Sequence, residues 1–287
     1  MSLQTILSIV EMRKLIQSWR SHGLTVGFVP TMGALHDGHL KLVREIKAQC
    51  DRVVVSIFVN PLQFGPTEDF SRYPRTLSSD LQMLSDVPAD AVFAPNSIEI
   101  YPNHFQTSVI NKDLANGLCG PFRPGHFEGV LTVVLKFLSI ITPDVAIFGK
   151  KDYQQWRLIS RMVTDLSICV KILGSETLRE PDGVALSSRN RYLSTEQRKY
   201  APLIYQGLQA AKSRFKSGNL EVEGIIAEFR KTIEACADLR VQYAELVHSE
   251  NLRPVLKIEG SEDFALIVAV IYADVRLIDN IEFGGSN

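Results

Sequence analysis

Short apolar runs punctuate the chain, and amphipathic stretches fill the intervals between them. Val26–Val29, Val53–Val59, Ala91–Ala94, Val145–Phe148 and Ile168–Leu173 are the runs in the first two thirds. Runs of that length bounded by polar residues predict buried strands. The intervals carry helical spacing instead. Met1–Arg20 places Ile6, Ile9, Met12, Leu15, Ile16 and Trp19 along one stripe, and Leu42, Val43, Ile46 and Cys50 repeat the pattern. Val130–Ile141 and Asp152–Leu166 predict two further helices. Strands alternating with helices imply an α/β fold, a Rossmann-like parallel sheet flanked by helices and joined by right-handed crossovers. Ligands of such sheets bind beyond the carboxyl ends of the strands. The loops at 30–39, 60–75 and 149–155 all leave strands at that edge.

The pattern changes near residue 180. Thr195–Phe215 and Leu220–Cys236 predict two amphipathic helices joined around Gly218, and Val241–Val247 and Phe264–Tyr272 predict strands. The expected organisation is therefore a first domain over 1–177 and a smaller C-terminal α+β lid domain over 178–287. No internal repeat or low-complexity segment interrupts it.

Composition narrows the function classes. An apolar content of 45% with 22% charged residues suits a globular chain with a core. A net charge of −1 gives no basic bias toward nucleic acid or a membrane surface. No apolar run reaches the roughly 18 residues of a membrane span, and the N-terminal stretch is amphipathic rather than a charged-then-apolar leader. Cys50, Cys119, Cys169 and Cys236 are scattered, as reduced thiols of a cytoplasmic protein would be.

The chemistry concentrates in residues 26–43. A strand breaking at Pro30, a loop with Gly33 and Gly38, and a helix beginning near His39 put backbone N–H groups and a helix dipole where a phosphate can sit. The Gly33-to-Gly38 spacing is that of a P-loop, but His39-Leu40 stands where Lys-Ser/Thr is required, and no G-x-G-x-x-G occurs. Imidazole at that place can donate to a reacting phosphate or act as a general acid. A lone histidine there would more simply cap the helix; two of them, His36 and His39, flanking Gly38 favour chemistry. No third ligand nearby supports zinc.

Three further segments carry polar groups. Phe148–Gln155 holds Lys151, a point charge for phosphate, and Asp152, suited to a helix cap or a ribose hydroxyl. Asp182–Asn190 combines Gly183, Ser187, Ser188 and Arg189, the parts of a mobile polyphosphate clamp or of a polar interdomain loop. Asn60–Phe64 offers neutral hydrogen-bonding groups to a hydroxylated acid, and Arg123–Phe127 adds a cation and His126 in a turn or at the substrate mouth.

Taken together, these segments resemble the pantoate–β-alanine ligase family of the nucleotidyltransferase superfamily, which shares an HxGH signature with class I aminoacyl-tRNA synthetases. His36-Asp37-Gly38-His39 fits the signature, and Leu186–Asn190 sits where those synthetases carry their flexible KMSKS loop. Pro30–Leu40, Val55–Phe64, Tyr73–Thr76, Arg123–Gly129, Gly149–Gln155, Ala185–Asn190 and Arg276–Asn280 match the family in order. Two departures are mild: Lys150 stands where an acidic or amide residue is frequent, and Val184 where leucine is usual.

The resemblance implies a two-step reaction, in which pantoate and ATP give pantoyl adenylate and pyrophosphate, and β-alanine then displaces AMP. It implies His39, His36 and Lys151 as catalytic residues, His39 being the better proton donor. It implies an ATP site from Met32, Gly33, Ala34, Leu35, His36, Asp37, Gly38 and His39 together with Gly149, Lys150, Lys151 and Asp152, closed by Leu178, Leu186, Ser187, Ser188 and Arg189. Gln63 and Gln155 would grip pantoate, Gln63 also reaching β-alanine. Mg²⁺ would ride on the phosphates with mostly water ligands and no named protein ligand. A homodimer through the N-terminal domain is also implied, with small-molecule partners and neither nucleic acid nor membrane. An adenylyltransferase with a phosphate acceptor, a synthetase fragment and a non-catalytic nucleotide sensor are the rival readings. The first should offer more acceptor cations, the second a basic surface, and the third degraded catalytic positions.

Overall fold

In the computed structural model, residues 3–66, 68–259 and 262–284 are described. The chain runs β1 (Gln4–Ile6), α1 (Ile9–Ser21), β2 (Val26–Thr31), α2 (Asp37–Lys47), β3 (Arg52–Ile57), α3 (Leu77–Ser85), β4 (Ala91–Phe93) and α4 (Ser97–Ile100). It continues through α5 (His126–Ile141), β5 (Val145–Gly149), α6 (Tyr153–Asp165) and β6 (Lys171–Ser175). The C-terminal part adds α7 (Thr195–Tyr200), α8 (Pro202–Lys216), α9 (Val222–Ile233), β7 (Leu239–His248), β8 (Phe264–Tyr272) and β9 (Val275–Phe283).

The first six strands form one parallel sheet in the order β1-β4-β3-β2-β5-β6. From β2 the chain steps outward through β3 and β4, then jumps back to the other side of β2 as β5. That reversal opens a crevice between the carboxyl ends of β2 and β5, where ligands of such sheets bind. The sheet is covered on both faces, so its strands are apolar rather than alternating. On one face α1, α5 and α6 bury Met12, Ile16, Trp19, Leu131, Phe137 and Ile159 against Val26, Phe28, Val54 and Phe93. On the other, α2 and α3 bury Leu42, Val43, Ile46 and Leu84 against Val29, Val55, Val92 and Ile147.

A second, antiparallel sheet, β7-β8-β9, makes the C-terminal α+β part. Its middle strand is buried on both sides. Phe264, Leu266, Val268 and Val270 face Leu208, Ile225 and Phe229 of α8 and α9. Ala265, Ile267 and Ala269 join the core under α5 and α6. That double burial accounts for an apolar run without alternation.

Several boundaries differ from the sequence pattern. Residues 4–6, read as helix, pair with β4 as an edge strand. The second strand continues through Pro30 to Thr31, because the β2–β5 ladder already ends at Phe28 and the missing proline N–H leaves no gap in it. The run expected to reach Val59 ends as a strand at Ile57, and the last parallel strand begins at Lys171 rather than Ile168. Helix α5 starts at His126, earlier than Val130. The helix expected over 195–215 is two helices, with Pro202 at the first position of α8. Helix α3 and strand β9 had no counterpart in the periodicity. All four cysteines are free, and among the described residues no helix is long and apolar enough to cross a membrane.

Candidate active site

A cleft of about 760 Å³ opens over the β2–β5 crevice and is roofed by the C-terminal part. Pro30–Met32 and His36 reach it from β2, Asn60 and Gln63 from the loop after β3, and Gly149, Lys151, Asp152 and Gln155 from the loop after β5. Leu178 and Leu186–Asn190 close it from the far side. All three loops assigned to the carboxyl edge therefore meet in one place.

The two histidines cap the helix and face the cleft at once. His36 is the residue before α2; its Nδ1 accepts the Gly38 N–H (3.2 Å), while Nδ1 of His39 accepts the His36 N–H (3.3 Å). A ring nitrogen that accepts from an amide carries no proton, so in each neutral imidazole the proton sits on Nε2. The rings lie 4.1 Å apart between centroids. Gly38 is needed between them: a Cβ there would stand 2.9 Å from the His36 ring. Burial, then the neighbouring His36, then the Lys151 charge depress the His39 pKa to about 3. Burial and then Lys151 also lower that of His36. At neutral pH both rings are uncharged hydrogen-bond donors.

The loop before them is held from inside. Asp80 of α3 is buried, and its carboxylate accepts from the N–H groups of Ala34 (3.1 Å) and Leu35 (2.9 Å) and from the Thr76 hydroxyl. Ala34 has φ +50°, a left-handed backbone costing a non-glycine residue of order 1 kcal/mol. The Asp80 bonds fix that turn. Thr31 Oγ1 accepts the Gly33 N–H and donates to the Ser56 carbonyl.

The amide side is equally organised. The Asn60 amide nitrogen donates to Gln63 Oε1 (3.1 Å) and to the Gly129 carbonyl (3.0 Å), while its oxygen accepts from Tyr101 (2.7 Å). Gln63 Nε2 is left pointing at Met32 Sδ, 3.0 Å away, a weak acceptor. Gly129 permits this seat, since a Cβ there would fall 2.4 Å from the Leu62 backbone. Beneath it His126 Nδ1 donates to the Gln63 carbonyl (2.8 Å) and Nε2 accepts from Arg123 (2.9 Å). Burial, followed by Arg123, pushes the His126 pKa down to about 4. Arg123 also forms a two-pronged pair with Glu68 at 2.6 Å. Gln155 and the Lys151 ammonium line the cleft with no side-chain partner among the described residues.

Not every residue expected at the nucleotide lines the cleft. Gly33, Ala34, Leu35 and Asp37 support or precede the histidines without lining it, and Lys150 turns aside to Glu176 and Glu282 (2.8 Å). Met32, His36, Gly38, His39, Gly149, Lys151, Asp152, Leu178, Leu186, Ser187, Ser188 and Arg189 do line it, as do Gln63 and Gln155. Arg189 pairs with Asp69 through two bonds (2.9 and 3.2 Å).

A family model described as Pantoate-beta-alanine ligase matches residues 4–282. The chain belongs to the pantoate–β-alanine ligase family. The pantothenate synthetase of Sulfurihydrogenibium sp. (strain YO3AOP1) is 47% identical over 282 residues, covering 98% of this chain and all of that one. That of Thermosipho africanus (strain TCF52B) is 48% identical over 279 residues, 97% of this chain and 99% of the relative. Among solved structures, pantothenate synthetase from Thermus thermophilus superposes with a TM-score of 0.90 at 41% identity, over 98% of this chain and all of that one. The pantoate-beta-alanine ligase of Francisella tularensis, complexed with beta-gamma ATP and beta-alanine, gives 0.80 at 36% identity over 97% of each chain.

In this ligase, the supports that the sequence pattern missed are Asp80, Tyr101 and Asp69. Asp80 offered one local signal, an aspartate in a helix whose other residues place Leu77, Leu81 and Leu84 on one side. Its partners are 45 and 46 residues away, and nothing in sequence spacing points to them.

Proposed function

We propose that this chain condenses pantoate with β-alanine at the expense of ATP, through pantoyl adenylate, releasing pyrophosphate and AMP. The observation that carries the reading is the placement, in one cleft, of two neutral imidazole donors and an unpaired lysine beside an amide-lined pocket. Imidazoles and ammonium suit a phosphate in reaction; two glutamines suit a neutral, hydroxyl-rich acid. The ATP and β-alanine in the Francisella complex support the same assignment of substrates here.

In the first step a pantoate carboxylate oxygen attacks the α-phosphorus. The acyl–oxygen–phosphorus link forms as the bond to the β-phosphate oxygen breaks, and the electron pair leaves on pyrophosphate. His36 and His39 donate from Nε2 to the α-phosphate oxygens, whose charge shifts in the transition state, and Lys151 adds a point charge. A pKa depressed to about 3 supports His39 as a fixed hydrogen-bond donor rather than as the proton donor that the resemblance implied. Arg189, Ser187 and Ser188 close over the leaving phosphates. Gln63 and Gln155 orient pantoate. In the second step the β-alanine ammonium gives one proton to solvent and its nitrogen attacks the acyl carbon. The acyl–oxygen bond breaks with its electron pair leaving on AMP, and the nitrogen gives a second proton to solvent.

Mg²⁺ belongs to this proposal as the ion that arrives on the triphosphate and offsets its charge. A hard, small cation of this kind keeps most of its water ligands. Cytoplasmic residence is supported by the free thiols. A homodimer rests on the family resemblance and is tested by sedimentation. Division into 1–177 and 178–287, the second acting as a lid, is supported by an apolar cluster built from 184–283 alone, although one face of β8 packs into the core of the first part.

Pyrophosphate–ATP isotope exchange, with Mg²⁺ and pantoate present and β-alanine absent, tests the reading. Exchange that depends on pantoate is expected. Protein that binds ATP but catalyses no such exchange would refute the adenylate step.

A further inference from the structure

The turn that presents Lys151 is fastened to a strand of the other sheet. Residues 150–152 make a single helical turn between β5 and α6. Asn280 of β9, only 6% exposed, donates from Nδ2 to the carbonyl oxygens of Lys150 (2.8 Å) and Lys151 (3.1 Å). Two residues further along β9, Glu282 accepts from the Lys150 ammonium (2.8 Å) and from the Tyr153 hydroxyl (2.9 Å). The backbone of the turn, the side chain before Lys151 and the helix after it are thus all tied to one strand. The Lys151 side chain itself stays unengaged and lines the cleft.

Asn280 is itself fixed. Its N–H donates to Asp279 (2.8 Å), which is buried and accepts two bonds from Arg179 (2.6 and 2.9 Å). Arg179 stacks on the Tyr205 ring at 3.8 Å and donates to the Gly183 carbonyl (3.1 Å), in the turn that leads to Ser187–Arg189. One dipeptide, Asp279-Asn280, therefore holds the 150–151 carbonyls directly and reaches the turn before the clamp loop through Arg179.

We propose that Asn280 is a positioning residue for adenylation, setting the Lys151 turn at the cleft, while Asp279 ties that turn through Arg179 to the clamp loop. The inference rests on the reading of Lys151 as the cation that meets the phosphates. Asparagine suits the place because two carbonyl oxygens need donors and one amide nitrogen supplies two. Aspartate, nearly isosteric, would set oxygens against oxygens and push the turn away.

The test uses the full-length enzyme with Mg²⁺ and pantoate in the exchange assay, comparing wild type, Asn280→Asp, Asn280→Ser, Lys151→Ala and the Lys151→Ala doubles. Thermal unfolding establishes folding, and Asn280→Ser carries the test if Asn280→Asp does not fold. Losing both backbone bonds should lower kcat/KM for ATP about tenfold or more, with KM for pantoate within about twofold. In the Lys151→Ala background the same change should cost less than about threefold, because its target is already gone. A merely structural role would lower both backgrounds alike, and such multiplying losses would overturn the proposal. Wild-type exchange in the Asn280 variants with an impaired Lys151→Ala would also overturn it. An unimpaired Lys151→Ala would instead remove the underlying reading of Lys151.

Discussion

The two loops proposed to meet the phosphates are held in opposite ways. Residues 31–39 are fixed by uncharged or buried groups: a buried carboxylate on two backbone amides, a threonine hydroxyl, and two imidazoles bonded through Nδ1 to the helix start. Residues 186–190 are held by a backbone bond from the Leu186 N–H to the Leu178 carbonyl, by bonds within the turn and by one ion pair. Arg189 leans on Asp69, and Asn190 on Glu180 and the Ala185 carbonyl. On that proposal, a triphosphate would find the first loop ready and displace none of its bonds. To reach Arg189 it would have to compete with one carboxylate, Asp69. One half of the site is preorganised and the other is exchangeable, which suits a lid that closes after binding.

Breaking the fixed half should do most harm. Replacing His39 by alanine removes a preorganised donor and the cap of the His36 N–H, and turnover in the exchange assay should fall about 10²–10³-fold. A folded His39→Ala enzyme with unchanged turnover would end the assignment. Breaking the exchangeable half should cost less. Arg189→Lys keeps the charge but loses the two-pronged geometry, and kcat/KM for ATP should drop about tenfold. Asp69→Asn sharpens the comparison from the other side. It weakens the pair that holds Arg189, so the ATP KM should fall about two- to fivefold at constant turnover, the size of a part-exposed ion pair. An unchanged KM would mean that Arg189 does not leave Asp69 on binding.

The same contrast explains what the sequence made legible. The His loop could be read because its chemistry is local: strand, glycine, two histidines and helix fall within eighteen residues, and the cap is an i to i+3 relation. Strand β8 could be read because both its faces are buried. Strand β9 could not, because Asp279 and Asn280 interrupt its apolar pattern, and they are buried for their contacts with Arg179 and the 150–151 turn rather than for hydrophobicity. Strand β1 is three residues long and adjoins a real amphipathic helix, whose stripe absorbed Ile6. The split at Pro202 was visible in principle, since proline favours the first turn of a helix over its interior. Asp80, Asp69 and Tyr101 act over separations that periodicity does not sample, and only the fold brings them to the site.

The smallest effect concerns a proton. Burial of the ring, then the neighbouring His36 and the Lys151 charge, oppose protonation of His39, whose pKa lies near 3 against 6.5 for a free imidazole. The unfolded chain therefore binds more protons between those values, and this group's contribution to stability is complete above about pH 6.5 and shrinks as the pH falls toward 3. His126, held to about 4 by burial and Arg123, acts in the same direction. Melting temperature should decline from pH 6.5 to 4, less steeply in His39→Gln. In ¹H–¹⁵N spectra of imidazole-labelled protein, His39 should show an Nε2-protonated neutral ring, unchanged from pH 8 to 5. Its signals titrating near 6.5, with an acid limb of exchange activity at the same pH, would make His39 a charged general acid rather than a fixed donor. The preorganised half of the site would then change state with pH, and the distinction from the clamp would narrow to geometry alone.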